Sequence, residues 1–155
     1  MKHLESSIPI IRLWNRLLVP LQGEISDHQA DRMFDDVLAA IARVGARGLV
    51  LDLSGVWVMD SHLCSILARI ATAAGFMGAR CIVSGLSPEI VLTLQSMDIE
   101  LRGVETTLSV ESALARLGVR LDTETERDHE RAALDELHAG IEEDRHDQPH
   151  EEVAR

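Results

Sequence analysis

The side chains best placed for chemistry lie together in one stretch, LDLSGVWVMDSH, which contains Asp52, Ser54, Asp60, Ser61 and His62. Asp60, Ser61 and His62 spell the letters of a hydrolase triad. Three consecutive residues, however, cannot place nucleophile, base and orienting carboxylate in sequential hydrogen bonds. No G-x-S-x-G elbow supports that chemistry either. From Ser61 onward Leu63, Ile66, Leu67 and Ile70 recur at helical spacing, so Asp60 or Ser61 falls where an N-cap belongs. Two readings of Ser61 follow. Its hydroxyl either caps the helix or is presented to solvent at a helix start. There, unpaired backbone N–H groups attract negative charge and tolerate an added phosphate.

Other chemistries find less support. No glycine motif for cradling phosphates is present, so no nucleotide cofactor is expected. Cys64 and Cys81 fall in apolar helix and strand patterns and read as buried free thiols. His138, His146 and His150 lie among Glu142, Glu143, Asp144, Glu151 and Glu152, but their spacing fixes no metal geometry. A solvated acidic segment is the simpler reading, and no metal is expected. Nor does the sequence offer a convergent polar set for a ligand-sensing pocket.

The elements that must position Ser61 can be read from periodicity. Ile8 to Leu13 and Leu17 to Leu21 are β-type runs joined around Asn15-Arg16, with Trp14 beside the turn. Pro20 marks an edge or a strand end, because it cannot donate to a ladder. Ser26 or Asp27 starts a helix with apolar residues at Ala30, Met33, Val37, Ile41 and Val44, which Gly45 ends. The run Gly48 to Leu53 is apolar without alternation, as in a strand buried on both faces. It is expected to end at Asp52, which would cap a turn at Ser54-Gly55, and to lead through Val56 to Met59 into the helix at Ser61. Arg80 to Ser84 is a further strand, and Ser87-Pro88 is a strong helix start. Ile99 to Val104 gives a last strand and Ser109 opens a final helix. The order β-β-α-β-α-β-α-β-α predicts an α/β fold, one mixed sheet covered by helices.

Composition bounds the function. A hydrophobic fraction of 46% supports one globular domain, while an aromatic content of 3% leaves the core aliphatic and provides no base-stacking platform. No nucleic-acid partner is expected. Residues 1–120 carry 13 acidic against 11 basic residues, a net of −2, whereas residues 121–155 carry 13 against 4, a net of −9. The acidity thus belongs to an extension, 121–155, read as a partly formed helix with a disordered end. No apolar run approaches the ~18 residues of a membrane span. Met1 to Ser7 also lacks a signal peptide's apolar core, so a cytoplasmic protein without membrane contact is expected.

The pattern D-L-S-G-V-x-x-M-D-S before an apolar helix resembles the phosphorylation loop of STAS domains, the family of anti-sigma-factor antagonists and stressosome scaffolds. IPIIRLWNRLLVPLQGEISDHQA, MGARCIVSGLSPEIVLTL and IELRGVETTLSVESALARL extend the resemblance to the small single-domain stressosome subunit, RsbS. It covers roughly Ile8 to Leu117, within a domain bounded at residues 1–120. His62-Leu63-Cys64-Ser65 replaces the Ser-Gly-Leu-Gly of many simple antagonists and favours the RsbS branch. The resemblance implies a non-enzymatic phospho-switch. Ser61 would be phosphorylated, with Asp60, Asp52, Ser54, Gly55 and His62 shaping the loop or contacting the kinase. Asp27 would stand as a permanently charged counterpart of a second phosphorylatable position, or Ser26 would be that counterpart. The implied partners are an RsbR-like STAS paralogue, an RsbT-like switch kinase and a phosphatase that resets Ser61, within a homo-oligomer or a large hetero-oligomer. The alternative is a simple anti-sigma-factor antagonist that binds its kinase without a large assembly.

Overall fold

A computed structural model describes residues 7–98, 101 and 104–119. Among them the chain forms β1 (Ile11–Leu13), β2 (Arg16–Gly23), α1 (Asp27–Val44), β3 (Gly48–Val56), α2 (Ser61–Phe76), β4 (Arg80–Ser84), α3 (Pro88–Ser96), β5 (Glu105–Thr107) and α4 (Val110–Arg116). This is the element order that the periodicity predicts. The strands lie in the order β1-β2-β3-β4-β5, with β1 antiparallel to β2 and the remaining pairs parallel. Parallel neighbours require helical crossovers, so β2 to β5 all end at one edge of the sheet and the helices start there.

The central strand β3 is buried on both faces. Leu49, Leu51 and Leu53 pack with Val37 and Ile41 of α1 and Leu67 and Ile70 of α2. Val50, on the opposite face, packs with Ile82 and with Ala113 and Leu114 of α4. Full burial of one such aliphatic side chain is worth roughly 1.5–3 kcal/mol, which makes this strand the stable centre of the sheet.

Local chemistry sets the helix ends. The Ser26 hydroxyl accepts from the Gln29 amide, and the Gln29 side chain answers by accepting from the Ser26 amide, a complete capping box. Gly45 closes α1 in the left-handed region at φ 62°. Asp60 caps α2, its carboxylate accepting from the Leu63 amide at 2.7 Å. Ser87 and Ser109 cap α3 and α4 in the same way.

Three expectations change, and the alternative left open at Pro20 resolves to an edge. The first strand is confined to Ile11–Leu13, although Ile8 and Ile10 still pack on the core, and the turn is Trp14-Asn15, with Trp14 at φ 53°. Pro20 lies inside β2. Pairing with β1 stops at Leu18, so β2 is itself an edge at Pro20, and a register irregularity follows before Gln22. β3 does not end at Asp52 but continues to Val56, because β2 supplies partners for Gly55 and Val56. The last strand is Glu105–Thr107, one step later than Ile99 to Val104; Leu101 and Val104 lie outside it, and 99, 100, 102 and 103 are not among the described residues. The extension 121–155, with the partly formed helix expected there and its histidines, also lies outside them.

Both cysteines are buried. Burial, with the Asp60 carboxylate adding to it, pushes the Cys64 thiol up to about 11, and burial alone pushes Cys81 up to about 12. Since the thiolate is the reactive species, both should resist iodoacetamide in the folded protein at mildly alkaline pH and react promptly in urea. Rapid labelling of either without denaturant would contradict this packing. Asp60→Ala should lower stability by about 1 kcal/mol in urea unfolding, through loss of the α2 cap.

Candidate phosphorylation site

Ser61 is presented by a connector held at three points. The Trp57 amide donates to the Gly23 carbonyl at 3.1 Å, which prolongs the β2–β3 pairing by one residue. Met59 is buried in the core at 4% exposure, and Asp60 is fixed by its bond to the Leu63 amide. Val56 and Met59 thus point inward, while Trp57 and Val58 face solvent at 82% and 53% exposure. Ser61 follows as the first helical residue. It is exposed, and its hydroxyl has no hydrogen-bond partner among the described residues.

Because Asp60 takes the capping role, the Ser61 hydroxyl serves no structural bond. The first helical backbone bond runs from the Cys64 amide to the Asp60 carbonyl, and the Leu63 amide is taken by the Asp60 side chain. The amides of Ser61 and His62 therefore have no acceptor within the helix. A phosphate on Ser61 would meet two opposing influences, attraction by this helix start and repulsion by the neighbouring carboxylate.

The surrounding residues fall into two groups. His62 is half-buried, and its Nε2 lies 3.1 Å from Oδ1 of Asp31, which ties the first turn of α2 to α1. This pairing also removes His62 from any partnership with Ser61 and Asp60 of the hydrolase kind. The second group sits at the ends of β3 and β4. Asp52 accepts from the Ser54 amide and hydroxyl, each at 3.1 Å, and from the Ser84 hydroxyl at 3.4 Å. Gly55 permits close pairing of the strands, since a Cβ there would lie 3.0 Å from Gln22 Cγ and 3.1 Å from the Leu21 carbonyl. Gly85 is more constrained, at φ 74° with Ser54 only 2.8 Å from the place of a Cβ. Asp52, Ser54 and Gly55 thus shape the strand ends.

Ser26 and Asp27 stand at the start of α1, on the same sheet edge as Ser61. The Ser26 hydroxyl is committed to its capping box, whereas Asp27 is exposed. The Asp31–His62 contact and the exposure of Trp57 and Val58 were not anticipated from the sequence. A pair separated by 31 positions leaves no periodic signal, but the run Val56 to Met59 contains one. Its inner residues are the two that a strand end and a helix entry must bury. Among the described residues no group of His, Cys, Asp or Glu is arranged to hold a metal. No helix there is long and apolar enough to cross a membrane.

Comparison with known proteins fits this geometry. The family model of the STAS domain matches residues 8–113. Among curated relatives, the RsbT co-antagonist protein RsbRD of Bacillus subtilis is 30% identical over 76% of this chain and 42% of its own length. RsbRB from the same organism is 31% identical over 72% and 40%. The chain thus spans about two fifths of the length of these relatives. Among solved structures, a serine-to-glutamate variant of RsbS from Moorella thermoacetica superposes with a TM-score of 0.64 at 28% identity, covering 73% of this chain and 96% of that one. A chain from a structure of the stressosome, described as a signal integration and transduction hub, gives 0.60 at 26% identity, covering 71% and 96%. The matched segment contains the five-stranded sheet, α1 to α3, the start of α4 and Ser61, and the chain belongs to the STAS-domain family.

Proposed function

We propose that this protein is a non-enzymatic stressosome scaffold and phospho-switch, with residues 1–120 as its STAS domain and 121–155 as an appended acidic extension. In its unmodified form it holds an RsbT-like switch kinase. Phosphorylation of Ser61 releases that kinase to regulate a stress-response pathway, and a phosphatase resets the state. An RsbR-like paralogue shares the assembly, which operates in the cytoplasm.

The observation that carries this reading is the exposed, unbonded hydroxyl of Ser61 on a connector fixed on both sides. A modification there changes the surface without removing an internal hydrogen bond. The exposed Trp57 and Val58 beside it supply the apolar contact a partner needs, since aromatic anchors dominate many interfaces. A phosphate adds about −1.5 to −2 charges. A partner packed over neutral Ser61 then meets desolvation cost and repulsion from Asp60 and the new group together. The match to an RsbS variant in which a serine is replaced by glutamate, and to proteins named as RsbT co-antagonists, supports the choice of partner class. Asp27 supplies a fixed charge on the same edge.

Incubation with ATP, magnesium and an RsbT-like kinase should add one phosphate, mapped to Ser61 by mass spectrometry. Ser61→Ala should remain unmodified and keep the kinase bound when ATP is added. Phosphate on another residue, or normal kinase release from Ser61→Ala, would sink the proposal. A megadalton particle formed with the paralogue would separate the scaffold from a simple antagonist, which would give a small one-to-one complex.

A further inference from the structure

Helices α1 and α2 close the core with their inner faces and leave a surface groove of about 380 Å³ between them. That volume lies in the range of small-molecule sites. Phe34 of α1 and Ala68, Ala73 and Phe76 of α2 give the groove its apolar lining. The chain has two phenylalanines, and both line this groove. Phe34 packs partly against the core, whereas Phe76 is 88% exposed and contributes little to it. A phenyl ring left in water beside a groove is unsatisfied apolar surface.

The polar groups of the groove gather around Arg69. Its guanidinium carbon lies 4.5 Å from the centroid of the Phe34 ring, a cation–π contact that holds the group over the ring. Among the described residues Arg69 makes no hydrogen bond and no ion pair, so its N–H donors are free. Ser65, four residues earlier on the same helix face, has an equally uncommitted hydroxyl. The Thr72 hydroxyl, by contrast, is spent on the Ala68 carbonyl at 3.0 Å. On the adjoining part of α1, Asp31 is bonded to His62, and the exposed Asp35 forms no ion pair with Arg69. The cation is therefore unneutralised. A guanidinium fork matches a carboxylate through two parallel hydrogen bonds, so charge complementarity calls for an anion with an apolar body.

We propose that this groove binds a medium-chain carboxylate, with its head group on Arg69 and Ser65 and its acyl chain along α2 to Phe76. From Arg69 to Phe76 the helix rises about 10 Å, which suits a chain of medium length better than a long one. The site is made by the packing of α1 on α2, so spacing along the sequence does not announce it. It goes beyond the switch reading and does not rest on it.

Isothermal titration calorimetry of the full chain with octanoate tests it. Binding should be saturable at one ligand per chain. Acetate, which lacks the chain, and octanol, which lacks the charge, should each bind at least tenfold more weakly. Arg69→Gln should weaken octanoate binding roughly tenfold through loss of the charge-assisted pair, and Phe76→Ala should weaken it several-fold. Both side chains are exposed, so circular dichroism should stay unchanged in the two variants. Amide shifts on adding octanoate should centre on Phe34 and on Ser65 to Phe76. Heat that never saturates would overturn the proposal, as would octanol binding as tightly as octanoate. Unaltered affinity in Arg69→Gln, or shifts centred elsewhere in the fold, would overturn it equally. Ser61→Ala should bind octanoate as the native chain does, so failure of this site and failure of the switch are read separately.

Discussion

The parallel pairing of β2 with β3 determines where Ser61 stands. Leu17, Val19 and Leu21 on one strand and Leu49, Leu51 and Leu53 on the other direct their side chains into the same core, so a slip of one residue would turn both sets outward. The register is therefore held by burial. It continues past the irregularity at Pro20 through Gly55, whose missing side chain allows close approach, to the Trp57 amide on the Gly23 carbonyl. From that last bond the connector has only enough length to bury Met59 and cap α2 with Asp60. The exposed hydroxyl is the geometric remainder of this chain of constraints.

Such an arrangement separates the stability of the domain from the state of its surface. The core faces of β3 and α2 are closed by aliphatic contacts that do not involve Ser61. The cap is supplied by the preceding residue. Consequently a phosphate would not need to displace an internal hydrogen bond, and the folded state would persist with a new charge at the sheet edge. The Asp31–His62 contact, partly exposed on both sides, joins α1 to this edge and gives the first turn of α2 a second lateral support.

Much of this was legible before the fold was known. The stripe from Ala30 to Val44, the Ser87-Pro88 start and the unalternating run at Gly48 each express a local preference that the tertiary structure keeps. The extent of β3 was not legible, because Ser54-Gly55 has turn composition and only the partner strand makes it continue. Pro20 was read as an edge or a strand end, and the short reach of β1, a property of the hairpin rather than of the proline, makes it an edge. At the site, the sequence left both Asp60 and Ser61 as candidates for the cap. Three-dimensional geometry gives the cap to Asp60, and that distinction changes the meaning of the serine. Asp31 could not be found from spacing, because contacts between two helices depend on how they pack across the sheet.

The central claim is that Ser61 carries a surface switch on an unchanged fold. Amide chemical shifts and hydrogen exchange, measured on the unmodified and Ser61-phosphorylated protein, test it most directly. The account predicts changes confined to the Trp57–Leu67 region and to the neighbourhood of Asp31, with undiminished protection of Leu49, Val50 and Leu51. Shifts spread across the whole sheet, or lost protection in β3, would contradict it and place the switch in the fold itself.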